Sequence, residues 1–187
     1  NEVWKKKLNY DSYYSRERAY SVQETRDGGY IVGGNIKSFS FSEDLYHIWL
    51  LKTNNLGEKE WMKVFRTQCH DYVGYINVFG YARQTIDGGF IIAGNYRNWR
   101  DPFDYDVRVI KTNVDGVVEW DNIIPDIHAP YYKNDLCKQI FQTFDGGYLL
   151  VINTDNDIHL IKIGSNGNNL WRRTYGGNRT DNGSFII

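Results

Sequence analysis

The stretch QTIDGGFIIAG, Gln84 to Gly94, is one of three versions of a single phrase. It is written earlier as ETRDGGYIVGG from Glu24 and later as QTFDGGYLLVI from Gln142. The aspartates Asp27, Asp87 and Asp145 are separated by 60 residues (27 to 87) and 58 residues (87 to 145). A period of tens of residues marks a fold assembled from repeated supersecondary units, so it decides the architecture before any local propensity does. Asp-Gly between two strand-like runs signals a hairpin, because a tight turn that follows the strands' twist needs positive φ, which Gly takes cheaply and Asp tolerates. Each DGG is therefore expected to join two antiparallel strands. The competing reading, three metal-binding aspartates, is weak because a calcium loop needs several oxygen ligands at alternating positions and RDGGY supplies one.

The rest of each unit follows in register. After the apolar run come HIWLLKT from His47, DVRVIKT from Asp106 or DIHLIKI from Asp157. A glycine turn follows (NNLGE, NVDGV or SNGNN), and then a tryptophan: Trp61, Trp120 or Trp171. Four short strands per unit result. Strand A is AYSVQET, GYARQT or KQIFQT, strand B follows DGG, strand C ends near Lys52, Lys111 or Lys162, and strand D carries the tryptophan. Strand C has a period of two, which puts Ile48 with Leu50, Val107 with Val109, and Ile158 with Leu160 on one face, and Trp49, Arg108 and His159 on the other. Strand B is apolar at consecutive positions, as suits a strand covered on both faces.

Composition agrees with an all-β chain. Among 187 residues there are 15 Tyr, 9 Phe, 6 Trp and 18 Gly, and strands favour aromatics while turns favour glycine. The 22 basic and 23 acidic residues nearly cancel, which leaves no net field to draw the chain onto nucleic acid. The one basic run, WKKKL from Trp4, reads as a strand edge protected by lysines. No apolar run reaches the roughly 18 residues of a membrane span. NEVWKKKLNY lacks the apolar segment of a signal peptide, so a targeting segment for an exported protein would lie outside this chain. Cys69 and Cys137 could form one bridge but make no disulfide framework. The acceptor patterns at Asn178 and Asn182 read as chance matches in an Asn-rich chain.

Tandem four-stranded units of this kind resemble the blades of β-propellers. YIVGG ending at Gly34, with the later glycine turn and Trp61, is similar to a kelch-type blade. NLGEKEW and VDGVVEW are similar to blades of the quinoprotein-like (PQQ-like) propellers. The fullest likeness is to the QTxDGGYIIAG…LIKTxxxGxxxW repeats of exported prokaryotic propeller proteins. The resemblance implies blades at 19–66, 79–124 and 137–176, with 1–10 as strand D of a preceding blade and 181–187 as strand A of a following one. Three blades fall short of the four that closed propellers typically need. The chain is then a piece of a longer propeller, completes its sheet with a partner's strands, or forms an open arc. Location outside the cell or on its surface is implied by the same likeness.

Propeller folds host unrelated functions, so activity must be argued from residues. A-to-B and C-to-D turns share one end of each unit and are nearly uniform, which reads as scaffold. The other end collects what differs between units: 35–46, 67–78, 95–105 and 125–136. Binding residues concentrate on irregular segments held by a rigid frame. The candidates there are Phe41, Tyr46, Tyr72, Trp99, Tyr105, Tyr131 and Tyr132, whose rings suit a protein surface or the face of a sugar. The plainer reading of any one ring is that it covers a loop. Trp4, Trp61, Trp120 and Trp171, once per unit, read as packing residues. His47, His70, His128 and His159 show no zinc-ligand spacing, and CHD at Cys69 is an isolated cluster. No catalytic set and no cofactor or metal site is expected. The expectation is a non-catalytic binding propeller. The alternatives are a structural subunit that assembles by strand exchange at its ends, and part of a quinoprotein-like oxidoreductase or hydrolase.

Overall fold

The computed structural model describes residue 5 and residues 15–39, 44–66, 80–97, 105–124, 135–154 and 157–176. These residues form three four-stranded antiparallel sheets and no helix. The first sheet contains β1 (Ser15–Glu24), β2 (Tyr30–Phe39), β3 (Asp44–Thr53) and β4 (Lys59–Phe65). The second contains β5 (Gly80–Gln84), β6 (Phe90–Arg97), β7 (Tyr105–Thr112) and β8 (Val118–Ile124). The third contains β9 (Leu136–Gln142), β10 (Tyr148–Asn153), β11 (Ile158–Ile163) and β12 (Asn169–Tyr175). Strands lie side by side in chain order in every sheet, and no ladder joins one sheet to another among the described residues. No helix among them is long and apolar enough to cross a membrane.

Each DGG is an A-to-B hairpin, but the turn is built differently from the expectation. Gly28 N–H donates to Thr25 O and Thr25 N–H donates to Gly29 O, both at 2.8 Å, which is a type I turn closed by a glycine bulge. Positive φ falls on Gly28, Gly88 and Gly146, and among the described residues no other residue type adopts it, so Asp is not needed for its left-handed tolerance. The C-to-D turns repeat the geometry with Gly57, Gly116 and Gly167.

Sheets stack in chain order. β5 lies against β1, β2 and β3, and β9 lies against β5, β6 and β7. Ile31, Ile48, Leu50 and Phe65 of the first sheet meet Ala82, Phe90, Ile92 and Ile110 of the second. Ile91, Ala93, Val107, Val109 and Ile124 then meet Cys137, Ile140, Tyr148, Leu150, Ile152, Ile161 and Ile163 of the third. β6 therefore buries Ile91 on one neighbour and Ile92 on the other, as its unbroken apolar run requires. Each such burial is worth about 2 kcal/mol. Trp61 and Trp120 carry the packing outward, meeting Phe90 and Tyr148 edge-on at 5.5 and 5.9 Å. Ile36, Trp49 and Leu51, with Val32, Met62 and Val64, form a third cluster on the remaining face of the first sheet.

Strand pairing runs further than the apolar pattern. β1 begins at Ser15, four residues before the expected Ala19, and Phe39 still pairs with Asp44. The B-to-C connections shrink to 40–43 and 98–104, which puts Tyr46 and Tyr105 in β3 and β7 instead of in loops. Hydrophobic patterning reports burial, whereas the ladder continues wherever two backbones stay adjacent. Apart from Lys5, the segments 1–10 and 181–187 lie outside the described residues.

Candidate functional site

The two ends of the sheets have different chemistry. At the hairpin end, Asp27 accepts hydrogen bonds from Thr25 Oγ1 and Gly29 N–H and pairs with Lys52 Nζ at 2.8 Å. Lys52, only 3% exposed, also donates to Thr53 O at 2.8 Å and to Glu60 at 3.0 Å, so its three N–H groups are matched. Lys111 repeats the arrangement with Asp87, Thr112 O and Glu119 at 2.8–2.9 Å. Glu60 and Glu119 reach their lysines because each C-to-D ladder shifts by one residue after the lysine, and such a bulge re-aims a side chain. Lys162 has Asp145 at 2.8 Å and Ile163 O at 3.4 Å, and its bulge carries Leu170. The second glycine of each DGG leaves room for the ammonium group. A Cβ on Gly29 or Gly89 would lie 2.7 Å from the lysine Nζ and would overlap a backbone carbonyl.

Electrostatics follow from these contacts. Hydrogen bonds from Lys52 and then Thr25 hold Asp27 well below the usual carboxylate range, and Lys162 and Thr143 do the same for Asp145. Burial opposes the shift at Asp87, but Lys111, Thr85 and Gly89 together bring it to about 2. At Lys52 burial again opposes, and Asp27 and Glu60 outweigh it to raise the ammonium group's pKa. The aspartates are thus fastened to lysines. They were legible as turn residues, but the lysines were not, although a lysine at one register in three apolar strands was the available signal.

This end is also stapled from sheet to sheet. Gln84 accepts from Arg26 N–H at 2.9 Å and Gln142 from Ile86 N–H at 2.7 Å, while their amide groups donate to Gly88 O and Gly146 O of their own turns. Gln23 accepts from Gln84 N–H, and Ser21 bridges Gly80 O and Ala82 N–H. Adjacent hairpins are thereby held in line, which aligns the opposite ends as well.

At the opposite end the strands emit the non-repeating segments 40–43, 67–79, 98–104 and 125–134. Their roots are fixed by polar contacts, some buried and some exposed. Asn95, fully buried, accepts from Cys137 N–H at 2.9 Å, and Trp49 Nε1 donates to Asn35 O at 2.7 Å. Arg108 forks onto Asp121 at 2.9 and 2.6 Å and donates to Arg66 O of the preceding sheet. His159 Nδ1 lies 3.0 Å from Thr174 Oγ1. Cys137 is a free, buried thiol whose pKa burial pushes up to about 12, which disfavours the thiolate. Among the described residues no group of three His, Cys, Asp or Glu could hold a metal ion.

Of the seven aromatic candidates, Tyr46 and Tyr105 sit at the variable end of β3 and β7. Phe41, Tyr72, Trp99, Tyr131 and Tyr132 lie outside the described residues, as do His70, His128 and Cys69. Trp61 and Trp120 are packing residues, whereas Trp171 is 41% exposed. No protein-family model matches the chain, and no curated protein matches it.

Proposed function

We propose that the three sheets are blades of a β-propeller and that the chain is a non-catalytic binding scaffold, exported or on the cell surface. It engages a protein or glycan through the aromatic segments at the end opposite the DGG hairpins. The observation that carries this reading is that every non-repeating segment longer than two residues, 40–43, 67–79, 98–104 and 125–134, is anchored at that one end. The hairpin end is nearly uniform from sheet to sheet, with Lys52 and Lys111 each held by two carboxylates and adjacent turns stapled through Gln84 and Gln142. Irregular segments on a rigid frame are where binding residues concentrate.

The test is binding of the full chain to glycan arrays and to candidate proteins. Trp99→Ala and Tyr131→Ala should weaken capture, while Ile86→Ala at the hairpin end leaves it unchanged. Binding that survives replacement of both 98–104 and 125–134 by Gly-Ser segments would sink the reading.

A further inference from the structure

Each sheet ends on its fourth strand, and among the described residues no further strand pairs with the outer side of β4, β8 or β12. An open edge presents a row of backbone N–H and C=O groups to which another strand can bond. The three edges differ in composition. β4 reads KEWMKVF, β8 reads VEWDNII and β12 reads NLWRRTY, so β12 alone holds no carboxylate. It is also the barest, because β4 has one buried and four half-buried residues, β8 has one and two, and β12 has only Arg172 half-buried. The turn of the following sheet covers Trp61 and Trp120 so closely that a Cβ on Gly116 or Gly167 would stand 3.0 Å from the ring. Among the described residues no turn does this for Trp171, which is 41% exposed.

Charge on this edge is one-signed and unmatched. Neighbouring strand residues point to opposite faces, so Arg173 stands with Trp171 and Tyr175 on one side of the edge and Arg172 with Thr174 on the other. Neither arginine has an ion pair among the described residues, whereas Arg108 of β7 is forked onto Asp121 of β8. Leu170, Trp171 and Tyr175 add exposed apolar surface along the same strand.

We propose that β12 is a strand-addition site for an acidic, extended segment of another protein. The incoming chain runs antiparallel to β12, with two consecutive carboxylates opposite Arg173 and Arg172 and an apolar residue opposite each of Tyr175 and Trp171. Consecutive carboxylates on a strand diverge to its two faces as the two guanidinium groups do, and each pair can form two parallel charge-assisted hydrogen bonds. Backbone bonds to the open edge supply affinity, and the side-chain pairs supply selectivity. A second copy of β12 paired in register would set arginine against arginine, which cross-strand neighbours disfavour. The site lies on a different element from the aromatic segments and does not depend on them.

The test titrates the full chain, in about 150 mM salt, into the dye-labelled peptide Ser-Val-Thr-Glu-Glu-Val-Ser and follows anisotropy. Binding should saturate below about 1 mM, and amide hydrogen exchange should slow within Leu170–Tyr175. The same peptide with lysines for its glutamates should bind about tenfold or more weakly. Arg172→Glu with Arg173→Glu should reverse that preference, and Arg173→Glu alone serves if the pair impairs folding. Lys59→Glu with Lys63→Glu, on the edge of the first sheet, should change nothing. No binding at about 1 mM overturns the proposal. So does equal affinity for the two peptides, a preference that survives the arginine reversal, or binding that leaves exchange in β12 unchanged. Self-association that protects the β12 amides without peptide overturns it as well, since a second copy would then hold the edge.

Discussion

The second and third sheets carry the same tryptophan and the same lysine in the same registers, yet the two residues live differently. Trp120 is covered by Tyr148 and donates to Ser165 O of the next sheet, whereas Trp171 has 41% of its surface in solvent. Lys111 is held by two carboxylates and Lys162 by one. Local sequence sets the backbone position, and the neighbouring sheet decides whether that position contributes to a core.

The sharpest test of that contrast is truncation of the two rings. Trp120→Ala should cost about 3 kcal/mol in urea unfolding and Trp171→Ala less than about 1 kcal/mol. Equal losses would mean that the third sheet buries its tryptophan after all. Next in size is a contrast within one turn. Gly89→Ala drives a methyl into Thr112 O and Lys111 and should cost about 3 kcal/mol, whereas Gly88→Ala, with nothing within 4 Å but a φ of +87°, should cost about 1 kcal/mol.

The lysine clusters predict an acid transition. Asp27, Asp87 and Asp145 have depressed folded-state pKa values, so their contribution is complete above the ordinary value of 3.8. It is lost as pH falls toward about 2, where Asp87 titrates. Far-ultraviolet circular dichroism should therefore show stability declining with acid across that window, and a flat profile there would dissolve the link between hairpin and lysine. The smallest effect is a gain. Leu170→Glu gives Lys162 the second carboxylate that Lys52 and Lys111 possess, and should stabilise the third sheet by about 0.5 kcal/mol.

Strand number, order and hairpins were legible because the period repeats them three times, each copy confirming the others. Strand ends were not, since β1 is extended by the charged Ser15–Arg18 and β2 by Lys37–Phe39, where pairing outlasts burial. Nor was the cluster around Lys52, whose partners Asp27 and Glu60 lie 25 and 8 residues away and meet it only through two turns and a bulge. The aromatic candidates were read from segments that do not repeat, where no second copy constrains the first.

Cys137 gives this architecture a built-in gauge. Its thiol sits at zero exposure in the seam between the second and third sheets and stays protonated far above neutral pH. An alkylating reagent can reach it only when that seam parts. In a chain carrying Cys69→Ser, the labelling rate would time the opening of one seam, while the other, which holds no sulfur among its buried residues, remains silent.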